Sequence, residues 1–193
     1  MINYRGIKME HLGTKELETK RLILRRFTID DAEKVYNNWV TDDEVTKYLT
    51  WSTHQNINDT KIVLEKWITN YSEKDFYQWA IVLKEINEPI GSIGVIYKND
   101  DSRMVTVGYC IGKQWWNKGI MTETLNAIIK FFFEEVKANR VEAWHDPNNP
   151  NSGKVMVKCG MKYEGQLRQA YKNNTGICDS IVYGIIAKDY FKK

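Results

Sequence analysis

Gln114-Trp-Trp-Asn-Lys-Gly-Ile-Met-Thr-Glu123 leads straight into a run where Leu125, Ile128, Ile129, Phe132, Phe133 and Val136 recur three and four residues apart. That spacing lays one apolar stripe along a helix, the clearest such pattern in the chain. Gly119 falls where the helix should begin. Backbone N–H groups there lack intrahelical partners and meet the positive end of the helix dipole, so an anion can bind without a charged side chain. Gly119 would let the main chain approach a pyrophosphate closely. Lys118 could add a point charge, and Thr122 a first-turn hydroxyl. The stretch is neither GxxxxGK[ST] nor GxGxxG. An ordinary loop with a turn glycine, and Trp115 and Trp116 as core plugs, therefore stands beside the phosphate reading.

Outward from this stretch, the Arg21–Phe27 segment reads as a strand, and Thr28 with Asp31 as a helix start. Thr41-Asp-Asp-Glu44 has capping-box spacing for a second short helix. Ile57 to Lys74 reads as a third, with Val63, Trp67 and Tyr71 on one face. Three strands follow, from Phe76 to Lys84, Ile90 to Tyr97 and Arg103 to Ile111. After the long helix come a strand at Arg140–His145, a short helix at Ser152–Lys158 stopped by Gly160, and strand runs Met161–Tyr171 and Ile177–Ile186. Helices and strands mix without strict alternation, which predicts an α+β fold with a mixed sheet under helices.

The chain has 193 residues, with 28 Lys+Arg against 25 Asp+Glu for a formal charge of +3. That suits one domain over residues 17–193 behind a polar tail at 1–16. The near-neutral balance argues against a nucleic-acid surface, which needs a dense basic stripe. Cys110, Cys159 and Cys178 form no CxxC pair, so no metal site and no disulfide framework is expected. The N-terminus shows no secretory h-region and no stretch is long and apolar enough for a membrane span, so a cytoplasmic protein is expected. Seven Trp, eleven Tyr and six Phe suggest a concave apolar site as well as a core.

A second constellation is Asp146-Pro-Asn-Asn-Pro-Asn-Ser152, where a strand hands over to a helix. Its Asn and Ser side chains could hydrogen-bond a ligand or simply cap the helix.

Glu18-Thr-Lys-Arg-Leu-Ile-Leu-Arg25 with Arg26, Val107-Gly-Tyr-Cys-Ile111, Trp116-Asn-Lys-Gly-Ile-Met-Thr122, the Asp146–Ser152 loop with Lys158-Cys-Gly-Met161, and Glu164-Gly-Gln-Leu-Arg168 come in an order that resembles the GNAT superfamily of acetyl-CoA-dependent N-acetyltransferases. The closest branch is that of the ribosomal-protein-alanine N-acetyltransferases. The resemblance implies a mostly antiparallel sheet splayed into a V, with acetyl-CoA as co-substrate and no metal. It implies that the backbone at Trp116, Asn117, Lys118, Gly119, Ile120, Met121 and Thr122 holds the pyrophosphate. Tyr109, Cys110 and Ile111 would run beside the pantetheine arm, with an N–H of Cys110 or Ile111 on the acetyl carbonyl. Asn149 would hydrogen-bond the cofactor, and Ser152 would protonate the leaving thiolate. Trp116 and Met121 replace the usual outer members of the superfamily loop. Thr106 stands where some relatives carry a glutamate base, and threonine cannot accept a proton from an ammonium at neutral pH.

The expected reaction is direct attack of an amine on the thioester in a ternary complex. His54 and His145 are the readable candidates for the base, since imidazole titrates near neutrality; Glu85 and Glu123 are weaker ones. The acceptor, a protein N-terminus or a small amine, would meet the Asn37–Tyr77 region, where Trp39, Trp51 and Trp67 could line a pocket. A second copy of the chain is the one further partner considered. A non-catalytic acyl-CoA sensor or partner domain is the competing reading.

Overall fold

Burial alternates along the strands, and it does so toward two different cores. In β2 (Leu22–Arg25), Leu22 and Leu24 enter one apolar cluster while Ile23 packs on the other. In β3 (Gln78–Leu83), Trp79 and Ile81 enter the first, Ala80 and Val82 the second. A period of two with both faces buried is what a sheet covered on both sides demands. The computed structural model describes residues 8–192. Among these, β1 (Leu17–Glu18), β2, β3, β4 (Glu88–Asn99), β5 (Met104–Ile111), β6 (Arg140–His145), β7 (Lys162–Asn173) and β8 (Gly176–Ile186) form one sheet in the order β1-β2-β3-β4-β5-β6-β8-β7.

Every neighbouring pair is antiparallel except β5 with β6. That parallel ladder covers only Met104–Thr106 against Arg140–Glu142. Beyond it β4 accompanies β5 to Ile111, and β8 accompanies β6 to His145. Each strand keeps its outer partner and loses its inner one, so the sheet parts into a V. The expected fold class stands.

The crossover between the parallel strands is α4 (Ile120–Glu134). Its predicted stripe from Leu125 to Phe133 is buried at 2% exposure or less, while Val136, buried too, lies past the helix end and not on it. Phe131 is buried as well, and with Phe132 it meets Tyr77 and Trp79 at ring separations of 5.0–6.3 Å. Much of the aromatic excess therefore goes into the core. The opposite face carries α1 (Ala32–Val35), running on into a wide turn at Tyr36–Val40, then α2 (Asp43–Thr46) and α3 (Ile57–Asn70). Next in the chain are α5 (Pro150–Lys158) and α6 (Ala187–Tyr190).

Several local expectations need correcting. The third helix stops at Asn70, short of Lys74, and its fully buried positions are Thr60 and Leu64 rather than Val63. The cap of α2 is Asp42, whose side chain accepts from the Glu44 N–H at 2.9 Å. The Thr41 hydroxyl turns back to the Tyr36 carbonyl instead. The described part of the expected tail is fastened to the body. Glu10 N–H donates to the Val136 carbonyl at 2.8 Å, Gly13 N–H to Lys74 at 2.6 Å, and Thr14 is buried between Phe76 and Gln78. Its polar sequence conceals this, because the attachment is made by backbone and hydroxyl groups. Residues 1–7 lie outside the described residues.

Candidate active site

The end of β5 turns into α4 through Lys113–Trp115, a single 3-10 turn that plugs Trp115 into the core. Trp116 is more exposed, and its indole N–H donates to the Ile111 carbonyl at 2.8 Å. Asn117 (φ 61) and Gly119 (φ 72) are both left-handed, so the chain makes a tight corner before the helix. A Cβ on Gly119 would meet nothing nearer than Arg21 Nη2 at 3.7 Å. The torsion, not lack of space, is what selects glycine here. Past this corner the first-turn N–H groups of Ile120, Met121 and Thr122 leave the helix without intrahelical acceptors.

Arg21 holds the corner, a role the sequence reading missed. Its guanidinium donates to the Lys118 carbonyl at 2.9 Å and to Glu123 Oε2 at 2.7 Å. Glu123 also accepts from the Arg21 N–H and the Thr19 hydroxyl. Burial raises the Glu123 pKa, but these bonds outweigh it and hold the carboxyl below its ordinary value. Glu123 thus pins the helix start to the β1–β2 turn. The Lys118 side chain is exposed and is not part of the cavity wall.

On β5 the ladder decides which amide is available. Gly91 opposes Ile111, Ser92 opposes Cys110, and Gly112 N–H donates to the Ile90 carbonyl. Hydrogen-bonded and non-bonded pairs alternate in an antiparallel ladder, so the Cys110 N–H points at Ser92 and the Ile111 N–H points away from β4. That second direction is the gap of the V. The Cys110 thiol lies 3.4 Å from Ser92 Oγ, and burial pushes its pKa up, the reverse of an activated nucleophile.

Across the gap, Asn149 stands at the N-cap position of α5 but makes no side-chain cap bond, and Ser152 is the third helical residue. The capping alternative therefore fails for both side chains. Ser152 Oγ donates to Tyr109 OH at 3.1 Å, and Tyr109 OH donates to the Ser152 carbonyl at 3.0 Å. Burial raises the Tyr109 pKa, so the phenol stays protonated. This pair of bonds joins β5 to α5 across the opening.

Loop geometry depends on Asp146, which is buried. It accepts from Asn148 N–H at 2.8 Å and from Asn173 Nδ2 at 2.8 Å. The next residue of the hairpin, Asn174, donates its side-chain amide to the carbonyls of Thr46 (2.9 Å) and Trp51 (2.8 Å). Asp-Pro-Asn and Asn-Asn-Thr-Gly were readable as turns, but nothing in them says that they meet.

These parts enclose a cavity of about 360 Å³. The α4 corner, Tyr109–Ile111 and Asn148–Ser152 line it, with Lys154 and Lys158 of α5. Glu44, Val45, Tyr48 and Leu49 come in from α2 and the segment after it. Neither histidine reaches this cavity. The His145 Nδ1–H donates to the Asp146 carbonyl at 2.7 Å, and its buried Nε2 faces Gly153, where a Cβ would come within 2.5 Å. His54 is bonded to the Thr60 hydroxyl at 2.8 Å, and burial pushes its imidazole below its usual pKa against the pull of Asp59. Trp39, Trp51 and Trp67 pack around the α1–α3 core and do not line the cavity. Thr106 is buried 3.5 Å from Glu142, whose carboxylate is taken by Arg140.

A family model described as an acetyltransferase (GNAT) domain matches residues 21–162. The uncharacterized N-acetyltransferase YoaA of Bacillus subtilis strain 168 is 31% identical over 88% of this chain and 96% of its own length. The ribosomal protein uS5-alanine N-acetyltransferase of Escherichia coli K12 is 36% identical over 62 residues, 32% of either chain. A GNAT-family acetyltransferase crystal structure from Bacillus anthracis superimposes with a TM-score of 0.79 at 26% identity, over 90% of this chain and 99% of that one.

Proposed function

The chain belongs to the acetyltransferase (GNAT) family, and on that premise we propose that it moves the acetyl group of acetyl-CoA to a primary amine by direct attack within a ternary complex. One observation carries the reading. The unpartnered first-turn amides of α4 open into the same cavity as the Ile111 edge of β5 and the Tyr109–Ser152 pair. Free N–H groups at a helix start suit a pyrophosphate, and the space beside Tyr109–Ile111 suits the pantetheine arm.

In this reading the Ile111 N–H, turned into the gap, donates to the carbonyl oxygen as it becomes an oxyanion. A preorganised backbone donor of this kind is worth roughly 2.7–4 kcal/mol. As the nitrogen–carbon bond forms and the carbon–sulfur bond breaks, the Ser152 hydroxyl turns from Tyr109 to give its proton to the departing sulfur and recovers one from solvent. Tyr109, made less acidic than a free phenol by its burial, stays protonated and holds Ser152 in place through the Ser152 carbonyl. The amine's own proton leaves to solvent, because neither histidine stands at the cavity.

The test is release of free thiol from acetyl-CoA in the presence of a pool of amines. Ser152→Ala should lower turnover about 10- to 100-fold with acetyl-CoA affinity unchanged. Wild-type protein that binds acetyl-CoA yet releases no thiol with any amine would establish the competing reading of a non-catalytic sensor.

A further inference from the structure

Among the described residues, Glu44 is the one carboxylate that lines the cavity. It stands in α2, followed by apolar wall residues Val45 and Leu49. Its neighbours are otherwise engaged: Asp42 caps the Glu44 N–H and Asp43 accepts from the Thr53 hydroxyl. Among the described residues Glu44 itself is paired only with Lys113 Nζ, at 2.6 Å, and both side chains are more than half exposed at 61% and 52%. A pair so exposed is weak and exchanges readily for another cation. The cavity's other charged lining, Lys154 and Lys158, is positive and belongs to α5. Charge is thus divided between its two sides, with the acid on the α2 side.

We propose that Glu44 is the counter-charge for the acceptor's ammonium group, and that Lys113 holds the place until the acceptor displaces it. This rests on the acetyl-transfer reading above. The run Asp42-Asp43-Glu44 makes that side unfavourable to a second anion close to the amine. The acceptor class that fits is an amine with no carboxylate beside its ammonium, such as an alkyl diamine or a peptide N-terminus, rather than a free α-amino acid.

Steady-state acetylation of 1,4-diaminobutane, alanylglycinamide and free alanine separates the possibilities, using wild type, Glu44→Gln and Lys113→Gln. Glu44→Gln should raise KM for the two carboxylate-free amines about three- to tenfold with kcat nearly unchanged. Lys113→Gln should lower the same KM about two- to fivefold, because it removes the competing cation. Free alanine should be the poorest wild-type substrate. Opposite shifts in the two variants support the role, since a merely structural ion pair would move both variants in one direction. Equal KM values in wild type and Glu44→Gln, or a preference for free alanine, overturn the Glu44 assignment while leaving acetyl transfer standing. Wild type inactive on all three and on the wider amine pool overturns both.

Discussion

At the scale of the residue, Gly119 is the clearest case of one torsion supporting a site. Its φ of 72 and the open space around it mean that a side chain is excluded by backbone strain and not by collision. Gly119→Ala should therefore cost about 1 kcal/mol of stability, and Gly119→Asn less, because asparagine tolerates the left-handed region. Both should weaken acetyl-CoA in calorimetry, alanine by about tenfold. Wild-type affinity in Gly119→Ala would remove the corner from the pyrophosphate assignment. The glycine was legible in the sequence as a helix start. The reason it must be glycine was not, since a torsion depends on where Arg21 and Glu123 anchor the corner.

At the scale of the element, the β7–β8 hairpin does work that its own sequence does not announce. Asn174 ties its turn to the end of α2 and the segment after it, while Asn173 reaches the buried Asp146 beside the Asn149–Ser152 loop. One turn thus braces both sides of the cavity. Asn174→Ala removes two side-chain bonds to carbonyls and should lower unfolding free energy by about 1–2 kcal/mol. Amide exchange should quicken in residues 46–51 while acetyl-CoA affinity holds. Unaltered exchange there would show the brace to be idle. Element positions were largely legible from periodicity: the α4 stripe is buried throughout, and β6 spans the residues its pattern marked. Polar attachments were not, which is why residues 8–16 read as a tail and why His54 and His145 stood as candidate bases beside their reading as ordinary bonded histidines.

At the scale of the molecule, the V depends on β5 and β6 sharing only a short ladder, with the α4 start pinned above it. Glu123 is the main charge in that pin. Its folded pKa lies below the ordinary value, so its stabilisation is present above the unfolded pKa and lost as pH falls through the folded one. In thermal melts Glu123→Gln should lie below wild type at neutral pH, and the gap should close below about pH 4. A gap that persists at pH 2–3 would show that the variant loses packing rather than charge.

What the sequence determined by itself was the order of elements, the helix start at Gly119, the Asn/Ser loop and the family they spell in combination. Those are local features: periodicity, turn chemistry and motif order need only neighbours along the chain. The tertiary structure alone decided that Ile111 and not Cys110 offers its amide to the gap, that Ser152 is held by Tyr109, and that His54 and His145 stand away from the cavity. It also brought Glu44 to the wall opposite α5. Each of these is set by strand register or by packing between segments far apart in the chain. A side chain's partner there is chosen by three-dimensional distance, which spacing along a sequence does not encode.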